Sequence, residues 1–198
     1  MSNKSAIGEQ AQERGFPVGK LKEWIEKGHL RYDENGRLIL GVPVVIIPRE
    51  DLAEIQKAAE EILGENGAAV IMYRAGFKHG YRHAGIYKNN FGLEQFDILD
   101  KHLSVTAATG WWGKHEIVEK SLDPLKVVIR FYNSIAEEWK GSDRSVCHIW
   151  RGVIAGILTF IAESMGKQVK IRCYESKCVA KGDPYCEIVA EELFEVKK

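Results

Sequence analysis

Four cysteines gather in the last third of a 198-residue chain: Cys147, Cys173, Cys178 and Cys186. Zinc takes thiolate, imidazole and carboxylate donors, usually four of them in a tetrahedron. Cys178 and Cys186 flank Lys181-Gly182-Asp183-Pro184, a turn sequence, so a hairpin there brings them together. Alternation along the return strand places Cys186 with Ile188 on the inward face. Glu175 lies just before the turn and can reach the same point. Cys147 sits in the first turn of an apolar helical stretch and can complete the set. The spacing is not a pair of CxxC knuckles, and by itself it leaves three readings. These are a metal site, buried structural thiols, and a redox pair made by Cys178 and Cys186.

The elements that must position these residues are the last three of the chain. Residues 146–164 read as a helix, almost wholly apolar between Arg151 and Glu163 and therefore buried on most sides. Gly152 and Gly156 lie one turn apart, which suits close packing against another backbone within the chain, or a dimer contact. Val169, Ile171 and Cys173 alternate with polar residues as in a half-buried strand, and residues 185–189 form the return strand. In that strand Cys173 shares the side of Glu175 and competes with Cys147 as a ligand.

Upstream, residues 51–63 repeat Leu52, Ile55, Ala59 and Ile62 at helical spacing, with Gly64 as a stop. Residues 69–87 read as helix or strand, and residues 91–104 as an amphipathic helix. Residues 105–112, 114–119 and 127–132 read as strands, and 133–143 as a polar connection. Residues 18–27 form a short helix, 31–40 a small hairpin about Asp33-Glu34-Asn35-Gly36, and 41–47 a strand. Residues 1–15 read as a loose leader. The fold class that follows is α+β, an antiparallel sheet of four or five strands with helices packed on one side. The domain spans 41–198, after an extension of 1–40.

The segment from Glu175 to Glu187, Glu-Ser-Lys-Cys-Val-Ala-Lys-Gly-Asp-Pro-Tyr-Cys-Glu, resembles the C-terminal signature of the 4-vinyl reductase domain family. That family belongs to a superfamily of ligand-binding domains in NO signalling and Golgi transport. It includes the sensory domains of aromatic-responsive bacterial activators and the core subunits of TRAPP tethering complexes. The stretch from Cys147 to Gly156 carries the matching two-glycine helix. The resemblance implies Zn2+ held by Cys147, Glu175, Cys178 and Cys186, about one ion per chain, in a closed structural site. Cys173 and His148 stand as substitutes for Cys147, because the stretch between Gly156 and Glu175 is longer than in the aromatic sensors. The resemblance also implies a homodimer through helices and a hydrophobic pocket between helices and sheet. By position, Trp111, Trp112, His115, Phe131 and Tyr132 are the pocket candidates.

Composition excludes several classes. Lys and Arg balance Asp and Glu at 28 each, so the chain lacks the basic excess of a dedicated nucleic-acid binder. It has no apolar run long enough for a bilayer span and no secretory signal, which predicts a cytoplasmic protein with reduced thiols. No GxGxxG, P-loop or GxSxG motif is present, so enzymatic activity is not the leading expectation. His79 and His83 stand at i, i+4, a spacing that can hold a metal, but without the Glu of HExxH they read as a solvated helix face. The functional expectation is a zinc-stabilised binding or sensory module for a small hydrophobic molecule, acting through a partner because neither a P-loop nor a long leader is present. A redox-responsive cysteine switch and an accessory to tetrapyrrole vinyl reduction are the alternatives.

Overall fold

The computed structural model describes residues 20–193. The 1–15 leader lies outside the described residues. A small N-terminal unit comprises α1 (Lys20–Glu26) and a three-stranded antiparallel sheet of β1 (Leu30–Tyr32), β2 (Leu38–Leu40) and β3 (Val42–Pro43). The expected 41–47 strand stops at Pro43, whose nitrogen cannot donate to a ladder. Val45 and Ile46 beyond it are exposed.

Helix α2 (Arg49–Phe91) follows and breaks at Gly64, where φ 70° and ψ 164° suit only glycine. The Gly64 stop is therefore a kink, and the 69–87 segment is helix. Gly92 ends α2 in the left-handed conformation, its N–H donating to the carbonyls of Tyr87 and Lys88. Helix α3 (Gln95–Ala108) runs further than its amphipathic pattern suggested. Residues 105–108, expected as strand, complete its last turn. The Thr106 hydroxyl donates to the His102 carbonyl at 2.7 Å, so the β-branched residue bonds inside a helix fixed by packing.

The main sheet comprises β4 (Lys114–Leu122), β5 (Leu125–Tyr132), β6 (Lys170–Lys177) and β7 (Cys186–Leu193), in the antiparallel order β4-β5-β7-β6. Helix α4 (His148–Ser164) enters between β5 and β6 in sequence. The α+β class and the four-stranded sheet agree with the sequence reading. Leu125, Val127, Ile129 and Phe131 bury the inner face of β5, and Cys186, Ile188 and Ala190 that of β7. The outer face carries ion pairs such as Arg130–Glu187 at 2.8 Å. On the inner face α4 contributes Ile154, Ile157, Leu158 and Ile161, all fully buried. Each such side chain stabilises the fold by about 1.5–3 kcal/mol.

The reverse side of α4 packs on α2 through four glycines. A Cβ at Gly152 or Gly156 would run into the carbonyl oxygen of Tyr73 or Phe77 on α2. A Cβ at Gly76 or Gly80 would run into that of Ile149 or Val153 on α4. The two-glycine pattern is thus an intramolecular backbone contact. It fixes α4, and with it Cys147 at its N-terminus.

Candidate functional site

Cys147, Glu175, Cys178 and Cys186 offer one ligand atom each, and these atoms all lie within 4.8 Å of one another. Cys178 and Cys186 are 0% exposed and Cys147 is 4% exposed. The Cys147 and Cys186 sulfurs are 3.6 Å apart, and those of Cys186 and Cys178 4.0 Å. A tetrahedral zinc with Zn–S bonds near 2.3 Å spaces its sulfurs by roughly 3.8 Å. The thiols therefore stand at coordination distance. One Glu175 oxygen, Oε2, accepts the Cys147 backbone N–H at 3.0 Å. The other, Oε1, is buried with no hydrogen-bond partner, which leaves its lone pairs for a ligand.

Local structure explains how these side chains converge. Glu175 and Cys178 are three residues apart, so an unbroken strand would aim them at opposite faces. The β6–β7 register shifts between Glu175 and Lys177, and this irregularity absorbs one residue. Both side chains then face inward. Past Cys178 the chain forms a 3-10 turn (Val179–Lys181) that ends at Gly182 with φ 95°. Asp183 locks the turn, its carboxylate accepting the Cys178 N–H at 2.8 Å. The Val179 N–H and the Ser134 hydroxyl lie 3.5 and 3.3 Å from the Cys186 sulfur.

The electrostatics suit one shared negative charge among the thiols. Hydrogen bonds from Cys147 and Cys178 hold the Cys186 thiol low. The same hydrogen bonding, with burial, pushes Cys147 up. Burial pushes Glu175 up to about 8. A cation would reverse this logic, taking thiolates and a carboxylate in place of their protons. Cys147 also caps the N-terminus of α4, where the helix dipole favours negative charge.

Cys173 is not brought into the cluster. It is half-buried on β6 one strand period before Glu175, and burial pushes its thiol up to about 12. His148 turns toward Arg151, with its Nδ1 2.6 Å from the guanidinium, and stands apart from the four.

Beside the cluster lies a cavity of about 80 Å³ whose walls include Cys147, Leu52, Gln56, Trp111, Trp139 and Trp150. The indole nitrogens of Trp139 and Trp150 are buried without partners. Of the expected pocket residues, only Trp111 lines this cavity. Trp112 and Phe131 form an aromatic cluster behind it, with ring centroids 4.5 Å apart and Trp112 4.5 Å from Trp150. His115 packs at the edge of Trp112. Tyr132 follows Phe131 and so projects from the opposite face, where its hydroxyl donates to Glu116 at 3.0 Å. Trp139 lies in a 3-10 helix (Ile135–Trp139) within the stretch read as a polar connection. Ile135, Ala136 and Trp139 itself were the apolar marks of that helix in the sequence.

The 4-vinyl reductase domain model matches residues 127–192, a segment from β5 to β7 that contains all four cluster residues. An uncharacterized protein of Methanocaldococcus jannaschii is 39% identical over 77 residues, covering 38% of this chain. The match spans 31% of that protein, less than a third of its length. Among solved structures, the phenol-responsive sensory domain of the transcription activator PoxR, bound to phenol, superposes with a TM-score of 0.71. It shares 18% identity and covers 90% of this chain and 94% of that one. A vinyl-4-reductase family protein of M. jannaschii gives 0.52 at 18% identity, covering 76% and 85%. Trafficking protein particle complex subunit 3 of Naegleria fowleri, covalently bound to palmitic acid, gives 0.50 at 18% identity, covering 76% and 98%.

Proposed function

We propose that this chain, whose residues 127–192 carry the 4-vinyl reductase domain, is a zinc-stabilised module that binds a small hydrophobic molecule and passes that state to a partner. The observation that carries this reading is the double position of Cys147. It belongs to the thiol–carboxylate cluster and also to the wall of the tryptophan-lined cavity. A ligand that moves the wall moves the start of α4, and zinc on Cys147 would hold that start against the β6–β7 hairpin. Zinc here is structural, with four protein donors and no open position. Cys178 and Cys186 hold the hairpin, Cys147 the helix, and Glu175 supplies the fourth donor through Oε1.

The cavity is mostly apolar, with the Trp139 and Trp150 indole N–H groups as hydrogen-bond donors for one acceptor atom on the ligand. A dry cavity of about 150 Å³ admits benzene. At about 80 Å³ this one takes a short alkyl group, or an aromatic ring after Trp111 shifts. A tetrapyrrole is far too large for it, which weighs against the pigment alternative. Exposed Ile55, Ile62, Leu63, Val70 and Ile71 on α2 support pairing of two copies through that helix. Among the described residues no helix is long and apolar enough to cross a membrane.

Tryptophan emission tests the ligand side, because three of the five tryptophans line the cavity. Titration of the full chain with monocyclic aromatics and medium-chain fatty acids should give a saturable change for one class. A response that stays linear with every compound up to about millimolar concentration would remove the binding role.

A further inference from the structure

Apart from the cysteine cluster, three histidines converge between α2 and α3. His79 and His83, one turn apart on α2, stack with ring centroids 4.0 Å apart. His102 on α3 meets both rings edge-on, at 5.5 and 6.1 Å. One ring nitrogen of each lies within 4.8 Å of the others. The helix face read from sequence as solvated is therefore partly buried, because α3 folds back on it after Gly92.

His102 is 1% exposed, and both of its ring nitrogens are buried without a hydrogen-bond partner. A buried imidazole ordinarily finds a partner for at least one nitrogen. An apolar residue would fill the place without that cost, so the site is built for something that accepts a nitrogen lone pair.

We propose that His79, His83 and His102 form a second metal site, separate from the cysteine cluster, that takes a divalent first-row transition ion such as Zn2+ on three imidazole nitrogens. Tetrahedral coordination at Zn–N bonds of about 2.0–2.1 Å needs nitrogens roughly 3.3 Å apart. The three start within 4.8 Å, and rotation of the half-buried His79 and His83 side chains closes the difference. Desolvation lowers all three toward the neutral form, His83 to about 4, so their lone pairs are free for a metal at neutral pH. Among the described residues no cysteine or carboxylate joins the set, so a fourth position stays open for water or another ligand. An ion here would pin α2 to α3, as the cysteine cluster pins α4 to the hairpin.

Cobalt separates the two sites. Thiolate-bound Co2+ absorbs in the near ultraviolet by sulfur-to-metal charge transfer, whereas imidazole-bound Co2+ shows only visible d–d bands. The full chain, made without a polyhistidine tag, is titrated with Co2+ beside the His79→Gln/His83→Gln variant. Both altered residues are half-buried, and circular dichroism verifies the variant's fold. The wild type should take up about one equivalent that adds d–d bands without the near-ultraviolet band, and the variant should lose it. His79→Gln alone should weaken that uptake by at least about tenfold, one step on the affinity scale. Absence of this uptake in the wild type, or its persistence in the double variant, overturns the proposal. Failure of the cysteine site would instead appear as a missing near-ultraviolet band.

Discussion

At the residue scale the four donors are unequal. Cys178 and Cys186 are fully buried on either side of a turn locked by Asp183, so neither can leave without opening the hairpin. Cys178→Ser removes a thiolate but keeps the volume, and should cost on the order of 3 kcal/mol through lost metal binding. Cys173→Ser, on the same strand but outside the cluster, should cost about 1 kcal/mol and leave the metal content unchanged. Urea denaturation with parallel metal analysis compares the two, and equal losses would contradict the ligand assignment. The cysteines were legible in the sequence because their turn is legible. The place of Glu175 was legible only by resemblance, since strand alternation sets it against Cys178, and the register shift that reverses this has no mark in the residue types. The pocket was less legible still. Trp112, His115 and Phe131 surround the aromatic cluster, but the cavity wall draws on Leu52 and Gln56, far away in sequence.

At the element scale, α4 is held from two sides, by the sheet through its aliphatic face and by α2 through glycines. Gly152→Ala would press a methyl group into the Tyr73 carbonyl, backbone against backbone. We expect a loss of about 3 kcal/mol, at the upper end of overpacking costs, read as a lower urea midpoint. Gly85→Ala is the control. Its Cβ would meet only the Phe160 ring, at 3.5 Å, so α2 should gain up to about 1 kcal/mol of helix propensity. If the two variants melted alike, close packing would not be what fixes α4. The glycine pair on α4 was visible in the sequence, yet its partners Gly76 and Gly80 sat in a segment that read as helix or strand. Residues 105–108 erred for a related reason: Val105 and Thr106 favour strands locally, and burial of Ile98, Leu99, His102 and Leu103 keeps the helix going.

At the scale of the whole molecule, two helices and a hairpin meet at one thiol cluster, beside a small apolar cavity. The pairing of copies through exposed residues of α2 extends that arrangement outward. Fold class was legible because alternation in β5 and β7 and the apolar run of α4 leave few other ways to bury those faces. Everything proposed for the module turns on zinc, and native mass spectrometry of freshly purified, untagged protein tests it most directly. It reports metal, subunit number and any retained small molecule in one spectrum. We expect a dimer with about one zinc per chain at the cysteine cluster, lost in Cys178→Ser. A wild-type chain with no stoichiometric metal, or a Cys178→Ser chain that keeps its full complement, would contradict it.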